Sequence, residues 1–372
     1  MKNEKIMGIV FANVHDSFLP ELASNRAIAS IPFGGRYRLI DFPLSFLVNA
    51  GVSTVGVITK FNYHSLMNHL GSGKAFDLDR KNGGLFIFPP YLNREMSADA
   101  GHIKSLESIM THLYKAKEEY IVLCDSDVLA NIDIKEMFSF HKEKGADITV
   151  AYKKGSLPKT KGDIMVFEKS KNGKITSITF PLESEKEILF SLDIVIMKKS
   201  LLIKLIKDAA EKNLRHIWRD VFMPNVNALE IYGYEVLSPA FVIDSKESFA
   251  KANFSLLSSE TRNALFSENR PIYTKVRDDA PTRYGPFSSV TESIIADGCV
   301  IEGEVENSVL FRGVKVEKGV RIKNSIVMQD NVIKKNASLK FTITDKNVSV
   351  GEGVELCGSE NLYLYIDKNK EV

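Results

Sequence analysis

From Val290 onward the chain keeps a six-residue beat. Val290, Ala296, Ser308, Val314, Val320, Ile326, Val332, Ser338, Thr344 and Val350 fall on one spacing, interrupted at Glu302. Glycine and asparagine punctuate it at Gly298, Gly303, Gly313, Gly319, Asn324, Asn331, Asn336, Gly351 and Gly353. A small or β-branched residue at every sixth position suits a parallel β-helix in which three hexads close one coil. An antiparallel meander would alternate with a period of two instead. The pattern therefore predicts a β-helix over residues 287–372.

The first two-thirds reads differently. Short apolar runs at Ile6–Phe11, Thr54–Thr59, Tyr120–Leu123 and Ile148–Tyr152 predict buried strands. Amphipathic stretches at Phe42–Ala50, Tyr63–Leu70, Ile103–Lys117 and Ile134–Lys144 predict helices between them, with further helices at Ser200–Lys212 and Ser245–Leu257. Strand–helix alternation at this spacing implies an α/β domain over residues 1–257, with a mostly parallel, doubly wound, Rossmann-like sheet whose ligands sit at the strands' C-terminal ends. Residues 258–286, rich in proline and charge, read as an irregular connector.

Composition narrows the function. A formal net charge of +2 gives no reason to expect a nucleic acid or an anionic membrane as partner. Cys124, Cys299 and Cys357 are far apart and in no metal-ligand spacing, as expected of free thiols in a reducing compartment. The apolar run after Met1-Lys2-Asn3-Glu4-Lys5 is too short for a signal peptide and reads as a strand, and no run is long enough to span a bilayer. A cytoplasmic protein is expected.

One block is more specific: Pro32-Phe33-Gly34-Gly35-Arg36-Tyr37-Arg38-Leu39-Ile40-Asp41-Phe42-Pro43-Leu44-Ser45. Thr59-Lys60-Phe61-Asn62-Tyr63-His64-Ser65-Leu66, Gly71-Ser72-Gly73-Lys74-Ala75-Phe76-Asp77-Leu78-Asp79-Arg80 and Gly84-Leu85-Phe86-Ile87-Phe88-Pro89-Pro90 extend it. With these the chain resembles, over nearly its whole length, the glucose-1-phosphate adenylyltransferases (ADP-glucose pyrophosphorylases) of bacterial glycogen synthesis. The resemblance implies a GT-A-like nucleotidyltransferase domain followed by a left-handed β-helix. It also implies a reaction in which a sugar phosphate attacks the α-phosphorus of ATP and pyrophosphate leaves in line. Such chemistry needs a loop that cradles the triphosphate, basic groups, Mg²⁺ and a sugar site.

The frame is kept while that chemistry is missing from it. The family's glycine-rich loop stands here as Phe11-Ala12-Asn13-Val14-His15-Asp16-Ser17-Phe18, with side chains that crowd the approach and a carboxylate at Asp16. The family's R-A-K-P-A-V reads Arg26-Ala27-Ile28-Ala29-Ser30-Ile31, so the active-site lysine position is Ile28. Asp127, in Cys124-Asp125-Ser126-Asp127, matches one metal-binding aspartate. The second, counted back without gaps from Ala252-Asn253, falls on Val242. The sugar-binding E-K-P signature is absent; the nearest Glu185-Lys186 is followed by Glu187.

The pattern of loss is similar to the GlgD-type non-catalytic subunits. It implies a regulatory subunit with no cofactor of its own, assembled with a catalytic homologue that uses Mg²⁺ and ATP, in a heterotetramer. By resemblance Arg26, Arg38 and Arg36 lie near a sugar-phosphate effector site between the domains; their plain alternative is as solvated or paired arginines. Asp127 is then vestigial. Two other readings stay open: a competent adenylyltransferase with altered residues, and a sugar transferase relying on Asp125 and Asp127. The histidines end at His216, so the β-helix lacks the base that hexapeptide acyltransferases use. It reads as an element of assembly and effector coupling.

Overall fold

A computed structural model describes residues 5–13, 16, 19–89, 101–157, 164–181 and 184–372. The N-terminal domain is built on a nine-stranded sheet. Its strands are β1 (Ile6–Phe11), β2 (Thr54–Ile58), β3 (Gly84–Phe88), β4 (Tyr120–Asp125), β5 (Ile148–Leu157), β6 (Val166–Lys169), β7 (Ile175–Thr179), β8 (Ser184–Lys198) and β9 (Ile231–Glu235). The core runs β3-β2-β1-β4, all parallel. β1 is central because Met7, Ile9, Val10 and Phe11 are apolar on both faces and wholly or almost wholly buried.

The long strand β8 then enters antiparallel to β4, pairs with β5, and shares its outer half with β6. The parallel expectation thus holds for the core of the sheet, and an antiparallel wing extends it. The helices of the α/β domain lie near their predicted places. The predicted Ile103–Lys117 helix is broken at Ile109 into His102–Ser108 and Met110–Lys115. In the stretch read as an irregular connector, residues Ser259–Leu265 form a helix and Arg283–Tyr284 already forms a strand of the first coil.

The C-terminal region winds through three parallel five-stranded sheets, which fits a left-handed β-helix. Residues on one face repeat as Val309↔Ile326↔Ile343, on the next as Ile301↔Val316↔Ile333↔Val350. The buried positions Val316, Ile322, Val327, Ile333 and Leu339 show why a strict six-residue comb drifts: one side of each coil is a residue shorter than the others. That shorter side turns at Glu292, Asn307, Asn324 and Phe341, all with positive φ (43°, 45°, 49° and 49°). Asn307 Nδ2 donates to Asn324 Oδ1 at 2.7 Å in the coil above, and each corner serine hydroxyl accepts the next coil's N–H, as Ser308 Oγ does from Ser325 N–H (3.1 Å).

The sheet after these corners is apolar on both sides. Leu310 and Val327 point into the coil interior, while Val309, Phe311, Ile326, Met328 and Ile343 join one cluster with Leu22, Ile28, Phe33, Phe42, Phe249 and Leu256 of the α/β domain. The Pro32–Phe33/Tyr37–Arg38 hairpin sits in this seam. Its turn needs Gly34 and Gly35, with φ of +57° and +83°; a Cβ on Gly34 would stand 2.9 Å from Leu256 Cδ1 and one on Gly35 3.3 Å from Ala296 Cβ. Gly34 N–H donates to Asn253 Oδ1 at 3.0 Å. The most recognisable motif of the chain is therefore the joint between its two domains.

Phe311 is fully buried in this seam. Phe311→Ala is expected to lower unfolding free energy by about 3–5 kcal/mol, read as a shift of the urea midpoint at unchanged slope.

Candidate functional site

Two places compete for the functional site. The first lies at the C-terminal ends of β1 and β4, where open α/β sheets bind ligands. Phe11, His102 and Trp218 pack there as buried rings, at centroid distances of 4.9 Å (Phe11–His102) and 5.5 Å (His102–Trp218). His102 Nε2 lies 3.4 Å from Asp125 Oδ2. Sequence reasoning missed His102 and Trp218; the segment Gly101-His102 that starts a helix beyond Pro90 was the available signal.

The described residues of the loop after β1 bond to the segments beside it. Asn13 Oδ1 accepts the N–H of Lys60 at 3.0 Å and its Nδ2 donates to the Phe61 carbonyl at 3.2 Å. Asp16 Oδ1 accepts the N–H of Ile28 at 2.9 Å. A carboxylate of the chain thus occupies a donor at the start of the Ile28–Ser30 turn, a kind of group that could otherwise face an anion. Val14, His15, Ser17 and Phe18 lie outside the described residues. Ile28 itself is 1% exposed and belongs to the apolar seam, so its position is built for packing.

Val242 ends the short strand Ala240–Val242, opposite Val128, and packs among apolar side chains. The ungapped count left this site with one carboxylate, Asp127; the fold adds another. Asp244, two residues beyond Val242, is buried, and burial first, then the charge of Asp127, holds its carboxyl above the usual carboxylate range. It accepts from Ser245 Oγ at 3.2 Å, beside the Ser245–Ser248 capping box of helix Lys246–Ser255. The clue was in Val242-Ile243-Asp244, two residues past the counted position. Among the described residues no three metal-ligating side chains converge; Mg²⁺ is commonly held by one or two carboxylates together with substrate phosphates and water.

The second place is a cavity of about 360 Å³ between the α/β domain and the β-helix. Arg36 and Arg38 from the hairpin, Lys275 and Arg277 from the connector, and Arg312 and Lys346 from the coils line it, with Asp330 the carboxylate among the lining groups. Arg36 is exposed. Arg38 Nη1 donates to the Ser65 carbonyl and hydroxyl (2.8 and 3.0 Å), and burial lowers its pKa to about 10. Arg26 stands apart from the cavity lining, buried and paired with Asp345 of the β-helix. The three predicted arginines therefore divide: two line the cavity and one locks the domains together.

Arg312 was not foreseen. Its side chain is 4% exposed, Nε lies 3.6 Å from Asp279 Oδ2, and among the described residues neither Nε nor Nη2 has a hydrogen-bond partner. Burial, and then the neighbouring Arg36, lower its pKa. Strong donors held dry beside other cations can bind an oxyanion. Arg312, Lys275, Arg277 and Lys346 escaped sequence reasoning because no local pattern links a connector and three coils to the hairpin.

Residues 18–216 match the nucleotidyl transferase family, and residues 275–361 the GlmU-like C-terminal hexapeptide family. A Bacillus subtilis (strain 168) protein named glycogen biosynthesis protein GlgD is 35% identical over 369 residues, covering 99% of this chain and 97% of that one. The GlgD of Geobacillus stearothermophilus is 37% identical over 85% of this chain and 82% of its own. A glucose-1-phosphate adenylyltransferase from Acetivibrio thermocellus is 31% identical over 97% and 86%. The chain belongs to the nucleotidyl transferase family, in the group that holds the GlgD proteins and the glucose-1-phosphate adenylyltransferases.

Ile28→Lys tests whether that position faces an open pocket. In the apolar seam an added ammonium should cost on the order of several kcal/mol, read as a lower urea midpoint, with no gain in ADP-glucose synthesis. An unchanged midpoint would show that the position opens to solvent.

Proposed function

We propose that this chain is a regulatory, non-catalytic subunit of a glucose-1-phosphate adenylyltransferase, working in the cytoplasm in glycogen synthesis. The observation that carries this reading is Ile28, buried in the interdomain core, with Asp16 bonded to its N–H where the family holds triphosphate. A catalytic homologue would use ATP and Mg²⁺ to make ADP-glucose and pyrophosphate from glucose 1-phosphate. This chain would assemble with it, as a heterotetramer, and tune it. Relatives named GlgD and glucose-1-phosphate adenylyltransferase support the pathway, and the absence, among the described residues, of a helix long and apolar enough to cross a membrane is compatible with the location.

The tuning site of this reading is the interdomain cavity, with Arg36, Arg38, Arg312 and Lys346 as ligands for a phosphorylated effector. A ligand there would touch the hairpin, the connector and the coils at once, so it could bias how the domains sit. One observation favours the rival reading of a competent enzyme: Asp244 within electrostatic reach of Asp127. Against it stands the phosphate loop, since losing a single preorganised contact to developing charge typically costs about a hundredfold or more in rate.

Purified alone, the chain should make ADP-glucose at no more than a trace rate, whereas a turnover on the order of 10 per second would establish the rival. Co-expressed with its catalytic homologue it should co-purify and change the partner's rate or effector response; separate elution with unchanged kinetics would end the subunit reading.

In the mixed complex, Asp127→Asn should leave synthesis nearly unchanged. Arg38→Ala should raise the effector concentration needed for half-maximal response, by roughly 10- to 150-fold if a charged hydrogen bond of about 1.5–3 kcal/mol is lost. Loss of synthesis in Asp127→Asn with assembly intact would mean that this subunit supplies an active site.

A further inference from the structure

We propose, resting on the interdomain anion site above, that the site is proton-coupled: an anion that enters the cavity brings with it a proton, taken from solvent onto Nζ of Lys346. The basis is how charge is spent around this residue. Lys346 is half-buried on a late coil of the β-helix and lines the cavity. Arg26 and Arg38 face it from the α/β domain, and Lys368 from the C-terminal segment. Asp330 lines the same cavity, and the adjoining carboxylate, Asp345, is already committed. It pairs with Arg26, accepts the Tyr365 hydroxyl at 2.7 Å, and accepts the backbone N–H of Lys346 at 2.7 Å.

Nζ of Lys346 itself makes no hydrogen bond or ion pair among the described residues. An amine half-buried among cations without a counter-ion is costly to charge. Burial, and then the charges of Arg38 and Arg26, bring its pKa down to about 7.

The other lining groups are poorer candidates for the proton. The arginines stay charged throughout the neutral range. Lys275 Nζ already donates to the Asn68 carbonyl at 2.7 Å. His69 Nε2 is held 2.5 Å from Asp41 Oδ1, and burial, with further depression from Arg38 and Lys275, keeps its ring below the usual histidine range. An entering dianion supplies the counter-charge that Lys346 lacks and so raises its proton affinity. The bound state then holds more protons than the free state above about pH 7, and affinity must fall as pH rises through that range. Below about pH 6 Lys346 is already charged, and the coupling vanishes.

Sulfate is the probe, because it remains a dianion from about pH 6 to pH 9 and adds no titration of its own. Calorimetric titration of the full chain at about pH 8, in buffers of different ionisation heats, should show uptake approaching one proton per sulfate, and close to none at about pH 6. Affinity should drop by up to tenfold per pH unit above neutrality. Lys346→Arg, which keeps the charge without a titration near neutrality, should still bind sulfate, with no uptake and a flat pH dependence. Binding without uptake in the wild-type chain, or uptake that persists in Lys346→Arg, would overturn the coupling alone. Absence of sulfate binding at millimolar concentration would overturn the anion site itself and the coupling with it.

Discussion

The seam between the two domains is the constraint on which the rest of the molecule depends. One sheet of the β-helix is apolar on both sides, and its outer side shares a cluster with Ile28, Phe33, Phe42 and Phe249 of the α/β domain. Within it lies the Arg26–Asp345 pair, both side chains buried. Removing one partner of such a pair costs about 3–5 kcal/mol, because the other charge is left without compensation. The two parts thus share a continuous core, with the cavity beside it.

The same seam fixes local chemistry on both sides. The Pro32–Arg38 hairpin needs its two left-handed glycines, since a Cβ on Gly34 or Gly35 would crowd Leu256 or Ala296, and Gly34 N–H is tied to Asn253. Ser245 caps the helix that carries Asn253 to this joint. At the C-terminal ends of β1 and β4, Asp16 and Asn13 bond to neighbouring segments and the rings of Phe11, His102 and Trp218 pack together.

Charge follows a related logic. Six basic side chains from three separate stretches converge on one cavity, where Asp330 is the carboxylate among the lining groups. Arg312 is left with unpartnered donors and Lys346 with a lowered proton affinity. A concentration of like charge that Asp279 and Asp330 only partly offset opposes folding through self-repulsion. Its presence beside the seam is what an anion-binding site would require.

The sequence by itself determined the periodic parts: the buried strands of the sheet core, the helices between them, and a β-helix from about Val290. Repeating burial writes those directly into the order of residues. It also determined a stretch without glycine at positions 11–18 and an isoleucine at position 28, since these are matters of residue type. Packing decided what periodicity could not. The drift from a strict six-residue beat, the antiparallel entry of β8 and the helix at Ser259–Leu265 all depend on neighbours far along the chain. Arg26, Arg36 and Arg38 looked alike in sequence, and only the tertiary structure told the structural ion pair from the cavity wall. Asp244 and Lys346 emerged the same way, because a side chain's electrostatic role is set by which charges the fold brings near it, and those lie tens to hundreds of residues away.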